Sequence, residues 1–274
     1  GLSQAEKNQT EDLPFLPETT KPNTRKPYII SSIYDVILKG SFPELYANQK
    51  MQRNTFYASY LKTYLERDIR NLTNVQDERQ FLTFLKVTAA RTGQLLNYAD
   101  IAKDVGVTIN TAKAWISLLL TSGLVFLLQP YYNNLTSRVI KTPKLHFMDT
   151  GFCAYLCGWT SPETLSVGAM NGAIFKSYVV SEIIKSYINN NEFAQFYFYR
   201  NKEKQEIDLI IERDNVLYPI EIKKTASPQI NDVKTFEVLK KSGLAVGKGA
   251  IICLYDKLIP LNNEVRIVPV GCLG

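Results

Sequence analysis

The stretch EIDLIIERDNVLYPIEIKK, in the last third of the chain, holds three charged residues among its apolar runs: Asp208, Glu221 and Lys223. The apolar runs on either side of Asp214-Asn215 predict two β-strands joined by a two-residue turn. Side chains alternate between the faces of a strand, and counting outward from this turn sets Asp208 directly opposite Glu221. The sequence therefore predicts two carboxylates that face each other across a hairpin.

Paired carboxylates of this kind repel, because cross-strand partners have Cβ atoms about 4.5–5.5 Å apart. A divalent cation would relieve the repulsion, and Mg²⁺ favours carboxylate oxygens, waters and substrate phosphates as ligands. A neighbouring lysine can hold a water for attack on phosphorus. On this argument the metal-free Asp208→Ala variant should melt no lower than the parent. The alternative is a solvated hairpin face that carries an accidental acidic pair.

The elements around this hairpin predict a mixed sheet flanked by helices over residues 172–274. The periodic segment GAIFKSYVVSEIIKSYI predicts a helix, and alternation or β-branched runs predict the strands. In chain order the predicted elements after that helix are strands Gln195–Arg200, Gln205–Glu212 and Val216–Lys223, a helix near Asn231–Lys241, and the strand Gly249–Tyr255.

Residues 78–148 predict a winged helix-turn-helix. Its second helix covers Tyr98–Asp104 and ends at Gly106, and Thr108 caps the third helix. That helix turns Ala112, Trp115, Ile116 and Leu119 inward, and strands at Leu124–Leu128 and Lys144–Met148 would form the wing.

The third helix of this module would present polar side chains to a DNA groove, and two lysines of the wing would lie near phosphates. The predicted DNA-binding residues are Asn110, Thr111, Lys113, Ser117, Lys141 and Lys144. Winged helices also serve as protein-docking modules, and that alternative stays open.

The complete prediction is a multidomain α/β protein in five parts. Residues 1–30 are an irregular lead-in, 31–77 a helical segment, 78–148 the winged helix-turn-helix, 149–171 a linker, and 172–274 the α/β domain. Within the helical segment, a stripe that includes Tyr57, Tyr60 and Tyr64 is expected to pack on a neighbouring element.

Composition and charge set broad limits on function. The formal charge of +6 permits a nucleic-acid partner without requiring one. The four cysteines follow no zinc or disulfide spacing, which predicts free thiols in the cytoplasm. No signal peptide or membrane span is predicted. The chain begins with Gly1, and we expect it to be the C-terminal part of a longer protein.

The α/β tail resembles the PD-(D/E)XK nuclease superfamily, whose motif places one acid on a central strand and (D/E)-x-K on the next. Asp208 and Glu221-Ile222-Lys223 occupy those positions. The resemblance implies a restriction-endonuclease-like fold, with Asp208 and Glu221 as ligands of Mg²⁺ or Mn²⁺ and Lys223 as the residue that positions the attacking water. Glu182, on the preceding helix, matches the acid that many members add as a metal ligand.

The wider chain resembles the C-terminal half of a prokaryotic group of AAA-type ATPases. The segments GSFPELY, YLKTYLERDIRNL, TGQLLNYADIAKDVGVTINTAKAWISLL and KTPKLHFMDTGFCAYL carry this resemblance. It implies that an ATPase domain precedes the chain, which itself has no P-loop and hence no ATP site. Two functions follow: a metal-dependent DNA endonuclease, or a non-catalytic module that docks DNA or protein and regulates the ATPase.

Overall fold

The structure is a computed structural model that describes residues 1–22, 28–65, 78–132 and 141–273. Contacts divide the chain into two compact units. The first comprises Gly1, Tyr34–Leu127 and Lys144–Ser177, and the second comprises Leu2–Ile33, Leu128–Pro143 and Tyr178–Gly274.

The described helices, in chain order, are α1 (Gln4–Asn8), α2 (Ile30–Lys39), α3 (Glu44–Ala47), α4 (Arg53–Thr63), α5 (Glu78–Ala89), α6 (Tyr98–Val105), α7 (Ile109–Thr121), α8 (Thr150–Leu156), α9 (Pro162–Val167) and α10 (Asn171–Asn189). The described strands are β1 (Gln94–Leu95), β2 (Val125–Pro130), β3 (Lys144–Phe147), β4 (Gln195–Arg200), β5 (Glu206–Arg213), β6 (Val216–Ile222), β7 (Ala245–Val246), β8 (Gly249–Cys253), β9 (Ile259–Pro260) and β10 (Val265–Pro269). The 3₁₀ helices among the described residues cover Ile230–Lys241 and Val270–Leu273.

Aromatic side chains of α4 build much of the core around α8 in the first unit. Tyr57 and Tyr64, which directly follows α4, are buried, and the Tyr57 ring lies 5.8 Å from that of Phe152 on α8. Tyr60 meets the same phenylalanine edge to face at 5.2 Å. The predicted packing role of the tyrosine stripe is confirmed.

A single buried carboxylate, Asp149, joins three separate segments of this unit. Its Oδ1 accepts hydrogen bonds from Phe152 N at 2.6 Å and from the Tyr57 hydroxyl at 2.8 Å. Its Oδ2 accepts from Ser41 N at 2.6 Å and from Ser41 Oγ at 2.7 Å. Burial and then the Asp149 charge raise the pKa of Tyr57 far above its usual range, so the phenol remains a donor.

Asp149 also caps α8, the first helix of the segment 149–171 that was predicted as a linker. The segment forms α8 and α9, and Phe152, Cys153 and Ala154 of α8 are completely buried. The four cysteines are free, as predicted.

Local signals correctly predict the helices α6 and α7. Asn97 caps α6, and Gly106 ends it in the left-handed region with φ of 78°. Thr108 caps α7 by accepting Thr111 N at 3.1 Å. The four α7 residues predicted to face inward, Ala112, Trp115, Ile116 and Leu119, are all buried.

The sheet of the second unit has the neighbour order β4-β5-β6-β8-β10-β9, and β7 also pairs with β6. Pairing is antiparallel between β4, β5 and β6, and parallel from β6 to β8 and from β8 to β10. The end of β2 runs parallel to β4. A mixed sheet was predicted from the sequence, but β9 and β10 were not.

The 3₁₀ helix Ile230–Lys241 contributes Val233, Phe236 and Leu239 to an apolar cluster with residues of the sheet, including Leu217 and Ile251. This packing holds the first turn of the helix, which contains Asp232, beside the cluster.

We expect Asp149→Ala to lower the free energy of unfolding by at least about 3 kcal/mol, because several buried donors would lose their acceptor at about 1–3 kcal/mol each. Urea denaturation followed by circular dichroism measures this change. Asp35→Ala, an exposed substitution on α2, is the control and should stay within about 0.5 kcal/mol of the parent. Equal stability of the two variants would contradict the role given to Asp149.

Candidate functional site

The hairpin of β5 and β6 has the predicted turn and register. Asp214 and Asn215 both have positive φ, 53° and 60°, as a two-residue type I′ turn requires. Arg213 pairs with Val216, and the ladder continues in register to the pair Leu209–Ile220. Asp208 and Glu221 are the next residues on the two strands beyond this last pair.

A β-bulge lies at Asp208, where the sequence predicted simple alternation. On β4, Tyr197 pairs with Ile210 and Tyr199 pairs with Ile207, so Asp208 and Leu209 together oppose one residue of β4. Ile207 and Ile210 consequently belong to the same core cluster, although alternation had assigned them to opposite faces. Bulges re-aim side chains and are frequent beside active sites.

The Asp208 carboxylate is buried and accepts a backbone hydrogen bond from Ile222 N at 3.0 Å. This contact joins β5 to β6 beyond the last ladder pair, Leu209–Ile220. Asp208 therefore stabilises the pairing of the two strands. Its contribution to the stability of the protein includes this hydrogen bond as well as any repulsion from Glu221.

Lys223 supplies positive charge to this cluster. Its Nζ lies 3.2 Å from Glu221 Oε1 and 3.6 Å from Asp232 Oδ1. Burial lowers the pKa of Lys223, but Glu221, Asp232 and Asp208 together outweigh that effect and raise the pKa above its usual value. The lysine is thus held as an ammonium among three carboxylates.

Asp232 is the member of this cluster that sequence reasoning missed. It lies in the first turn of the 3₁₀ helix, where its Oδ2 accepts from Gln229 N at 2.8 Å. The Gln229-x-x-Asp232 spacing resembles that of a capping box and could have predicted the cap. The proximity to Lys223 depends on tertiary packing and has no local signal.

The donor set at the hairpin suits Mg²⁺ or Mn²⁺, since these ions are often held by one or two carboxylates plus waters. Asp208 and Glu221 are the carboxylates that would hold the cation, and Lys223 would remain beside them. Within the described ranges, no group of three or more His, Cys, Asp or Glu side chains is arranged to hold a metal. The expected set of Asp208, Glu221 and Glu182 is therefore not assembled as one group.

Glu182, the expected third ligand, lies on α10 in a separate ion cluster. Its Oε1 is 2.9 Å from Lys185 Nζ and 3.7 Å from Lys7 Nζ, and its Oε2 accepts a hydrogen bond from Gln4 N. Burial alone would raise the pKa of Glu182, but the two lysines outweigh burial and lower it. In this structure Glu182 fixes the lead-in segment to α10.

Further contacts hold the same lead-in. Phe15 N donates to Ser186 Oγ at 3.0 Å, and the Tyr187 hydroxyl donates to Phe15 O at 3.0 Å. Arg266 Nη1, on β10, donates to Pro17 O at 2.8 Å and also contacts the carbonyls of Glu18 and Thr20. The lead-in predicted as irregular is thus packed along α10 and β10.

The residues predicted to contact DNA differ in exposure. Asn110, Lys113, Ser117 and Lys141 are exposed, and Thr111 is half-buried. Lys144 is buried, with 4% of its surface exposed, because all four residues of β3 are covered. Lys144 therefore does not belong to an exposed basic surface.

The one histidine of the chain belongs to a buried hydrogen-bond network in the first unit. His146 Nδ1 lies 3.0 Å from Ser177 Oγ, which lies 2.8 Å from Thr92 Oγ1. Thr92 Oγ1 in turn accepts from Phe147 N at 3.1 Å. This network joins β3 to α10 and is a packing feature, because His146 and Ser177 are both buried.

Comparisons with known proteins give two family models that match different parts of the chain. Residues 30–163 match a domain of unknown function, DUF8612, and residues 171–273 match another, DUF4143. The hairpin cluster and Glu182 lie in the second match, and the helices α5 to α7 lie in the first.

Two curated relatives are the uncharacterized proteins Rv2008c of Mycobacterium tuberculosis and Mb2031c of Mycobacterium bovis. Each is 25% identical over 233 residues, which is 85% of this chain and 51% of the relative. This chain therefore spans about half the length of the curated relatives that it matches.

Among solved structures, protein VC1899 from Vibrio cholerae aligns over 94% of this chain and 62% of its own at 12% identity. The TM-score is 0.27, a similarity too weak to define a common fold. Across the parts of the chain that the structure describes, no helix is both long enough and apolar enough to cross a membrane.

The contact with Ile222 N reverses the stability change expected for Asp208→Ala. Without metal, we now expect the free energy of unfolding to fall by about 1–3 kcal/mol, because a buried N–H loses its acceptor. Asp208→Asn keeps an oxygen for that N–H and should remain closer to the parent. Urea denaturation in EDTA measures both variants, and an Asp208→Ala protein as stable as the parent would contradict this expectation.

Proposed function

We propose that this chain carries a divalent-cation site of the PD-(D/E)XK type, which cleaves phosphodiester bonds in DNA. One observation supports the proposal: Asp208 Oδ2 accepts Ile222 N at 3.0 Å, between Glu221 and Lys223 in the chain, and Lys223 Nζ lies 3.2 Å from Glu221 Oε1. This is the same set of acids and lysine that the sequence motif predicts.

Each residue has a distinct role in the proposed reaction. Asp208 and Glu221 would hold Mg²⁺ or Mn²⁺, and the bound cation would supply Lewis-acid stabilisation of charge at phosphorus. The Lys223 ammonium donates hydrogen bonds that would orient the attacking water and offset the negative charge of the phosphate. The Ile222 contact fixes Asp208, so the acid needs little rearrangement before it acts.

The proposal also places the chain beside an ATPase in the complete protein. The DUF4143 match supports this association, since that domain commonly accompanies AAA-type ATPases. The chain spans about half the length of its curated relatives, which have room for a further domain.

The helices α5 to α7 with β1, β2 and β3 support a winged helix as the second functional part. Their order, helix-strand-helix-helix-strand-strand, is that of a winged helix, and β1 pairs with β3. We propose that the exposed side of α7, with Asn110, Lys113 and Ser117, contacts DNA.

A specific observation favours the alternative, a non-catalytic module that docks DNA or protein and regulates the ATPase. Glu182 is engaged by Lys185 and Lys7, so the acid that working nucleases add to the metal site has another function here. The burial of Lys144 also reduces the basic surface available to DNA. The experiments below separate the two functions.

We expect the parent protein to cleave DNA in the presence of Mg²⁺ or Mn²⁺, and Lys223→Met and Asp208→Asn to reduce the rate by about 100-fold or more. A gel assay with single- and double-stranded DNA measures this, and Glu237→Gln, an exposed substitution on the 3₁₀ helix, is the matched control. Cleavage that persists in both variants would point to a different site. A parent that neither cleaves DNA nor melts higher with metal would favour the docking module.

For the winged helix, we expect duplex DNA affinity to fall steeply as salt rises, because phosphate contacts release condensed counterions. The slope of log affinity against log salt concentration is negative, and Lys113→Ala should reduce its magnitude by about one. Lys86→Ala, on α5, should leave the slope unchanged. Fluorescence anisotropy measures the slopes. An absence of binding at low salt would leave protein docking as the role of this module.

A further inference from the structure

We propose that Asp232 is a positioning residue that retains the Lys223 ammonium when Glu221 binds a divalent cation. The inference rests on the proposed metal site and names a residue outside the motif of the hairpin. Asp232 comes from the 3₁₀ helix, at a distance in sequence from both strands.

Lys223 and a divalent cation would compete for Glu221. Lys223 Nζ already lies 3.2 Å from Glu221 Oε1, so the lysine occupies the position beside a carboxylate that would serve the cation. An ammonium and a divalent cation repel each other when they share one carboxylate. Binding of the cation therefore requires Lys223 to loosen its contact with Glu221.

Asp232 offers Lys223 an alternative partner that the lysine side chain can reach without a large movement. Its Oδ1 is 3.6 Å from Lys223 Nζ, only slightly beyond the contact with Glu221. A small shift of the flexible lysine side chain toward Asp232 would exchange one carboxylate for the other. Lys223 would keep its charge partner and stay close enough to the site to act there.

Asp232 itself is held in place while Lys223 moves. Its other oxygen, Oδ2, accepts Gln229 N at 2.8 Å, and the 3₁₀ helix is anchored in the core by Val233 and Phe236. Oδ2 of Asp232 thus caps the helix, and Oδ1 contacts Lys223.

Isothermal titration of the full chain with Mn²⁺ tests the proposal through binding and not through activity. We expect Asp232→Asn, which keeps an oxygen for the cap, to weaken Mn²⁺ binding about 3- to 10-fold. Lys223→Met should strengthen binding, because the competitor is removed. In the Lys223→Met background, adding Asp232→Asn should then change the affinity by less than about 1.5-fold.

Glu237→Gln is the control, because it removes one negative charge from the same helix. Glu237 lies 2.8 Å from Lys240 Nζ, and its ion pair is with Lys240 instead of Lys223. Asp232→Ser, which also offers an oxygen to Gln229 N, replaces Asp232→Asn if the latter does not fold. An equal loss of affinity from Asp232→Asn with and without Lys223 would make Asp232 a direct contributor to the metal and overturn the inference. An unchanged affinity in Asp232→Asn would also overturn it, while leaving the proposed metal site intact. A parent that binds no Mn²⁺ would overturn both.

Discussion

Every carboxylate that this chain buries must be compensated, and this constraint organises both units. A carboxylate removed from water loses several kcal/mol of solvation unless charges or hydrogen-bond donors replace the water. The protein meets the requirement in three ways. Asp149 receives neutral donors from three segments, and Glu182 receives two lysines and a backbone N–H. At the hairpin, Glu221 receives Lys223 and Asp208 receives the backbone N–H of Ile222.

These solutions differ in what they permit chemically. Asp149 is surrounded by donors whose geometry is fixed by backbone and core packing, which suits a structural joint. Glu182 is held by Lys185 on its own helix and by Gln4 and Lys7 of the lead-in. At the hairpin the charge that compensates Glu221 belongs to one flexible side chain, Lys223, which also lies 3.6 Å from Asp232 Oδ1.

The sequence predicted those parts of the fold that depend on neighbours in the chain. The Asp214-Asn215 turn, the cap at Thr108 and the end of α6 at Gly106 were all correctly placed, since each is determined by local backbone preferences. The register of the hairpin followed directly from its turn. The helical segment at 149–171 was missed because its start depends on an Asp149 network that involves α4 and the segment before α3.

The same limit applies to the candidate site. Asp208, Glu221 and Lys223 could be grouped from strand spacing, and the structure brings them together in the hairpin. The bulge at Asp208 depends on pairing with β4, the contact of Asp232 with Lys223 depends on how the 3₁₀ helix packs, and the engagement of Glu182 depends on residues near the start of the chain. None of these has a signature within a short window of sequence.

The attachment of the lead-in has a consequence for the order of folding. Gln4 Nε2 donates to Gly271 O at 3.1 Å, so the second unit joins residues from near both ends of the chain, and the first unit lies between them in sequence. Contacts between such distant residues carry a large loop-closure cost and form slowly. During synthesis the first unit has all of its residues by Ser177, whereas the second must wait for β10 and the final 3₁₀ turn to leave the ribosome. The hairpin acids would spend that interval in an incomplete sheet, so the cluster around Lys223 would form later than the core of the first unit.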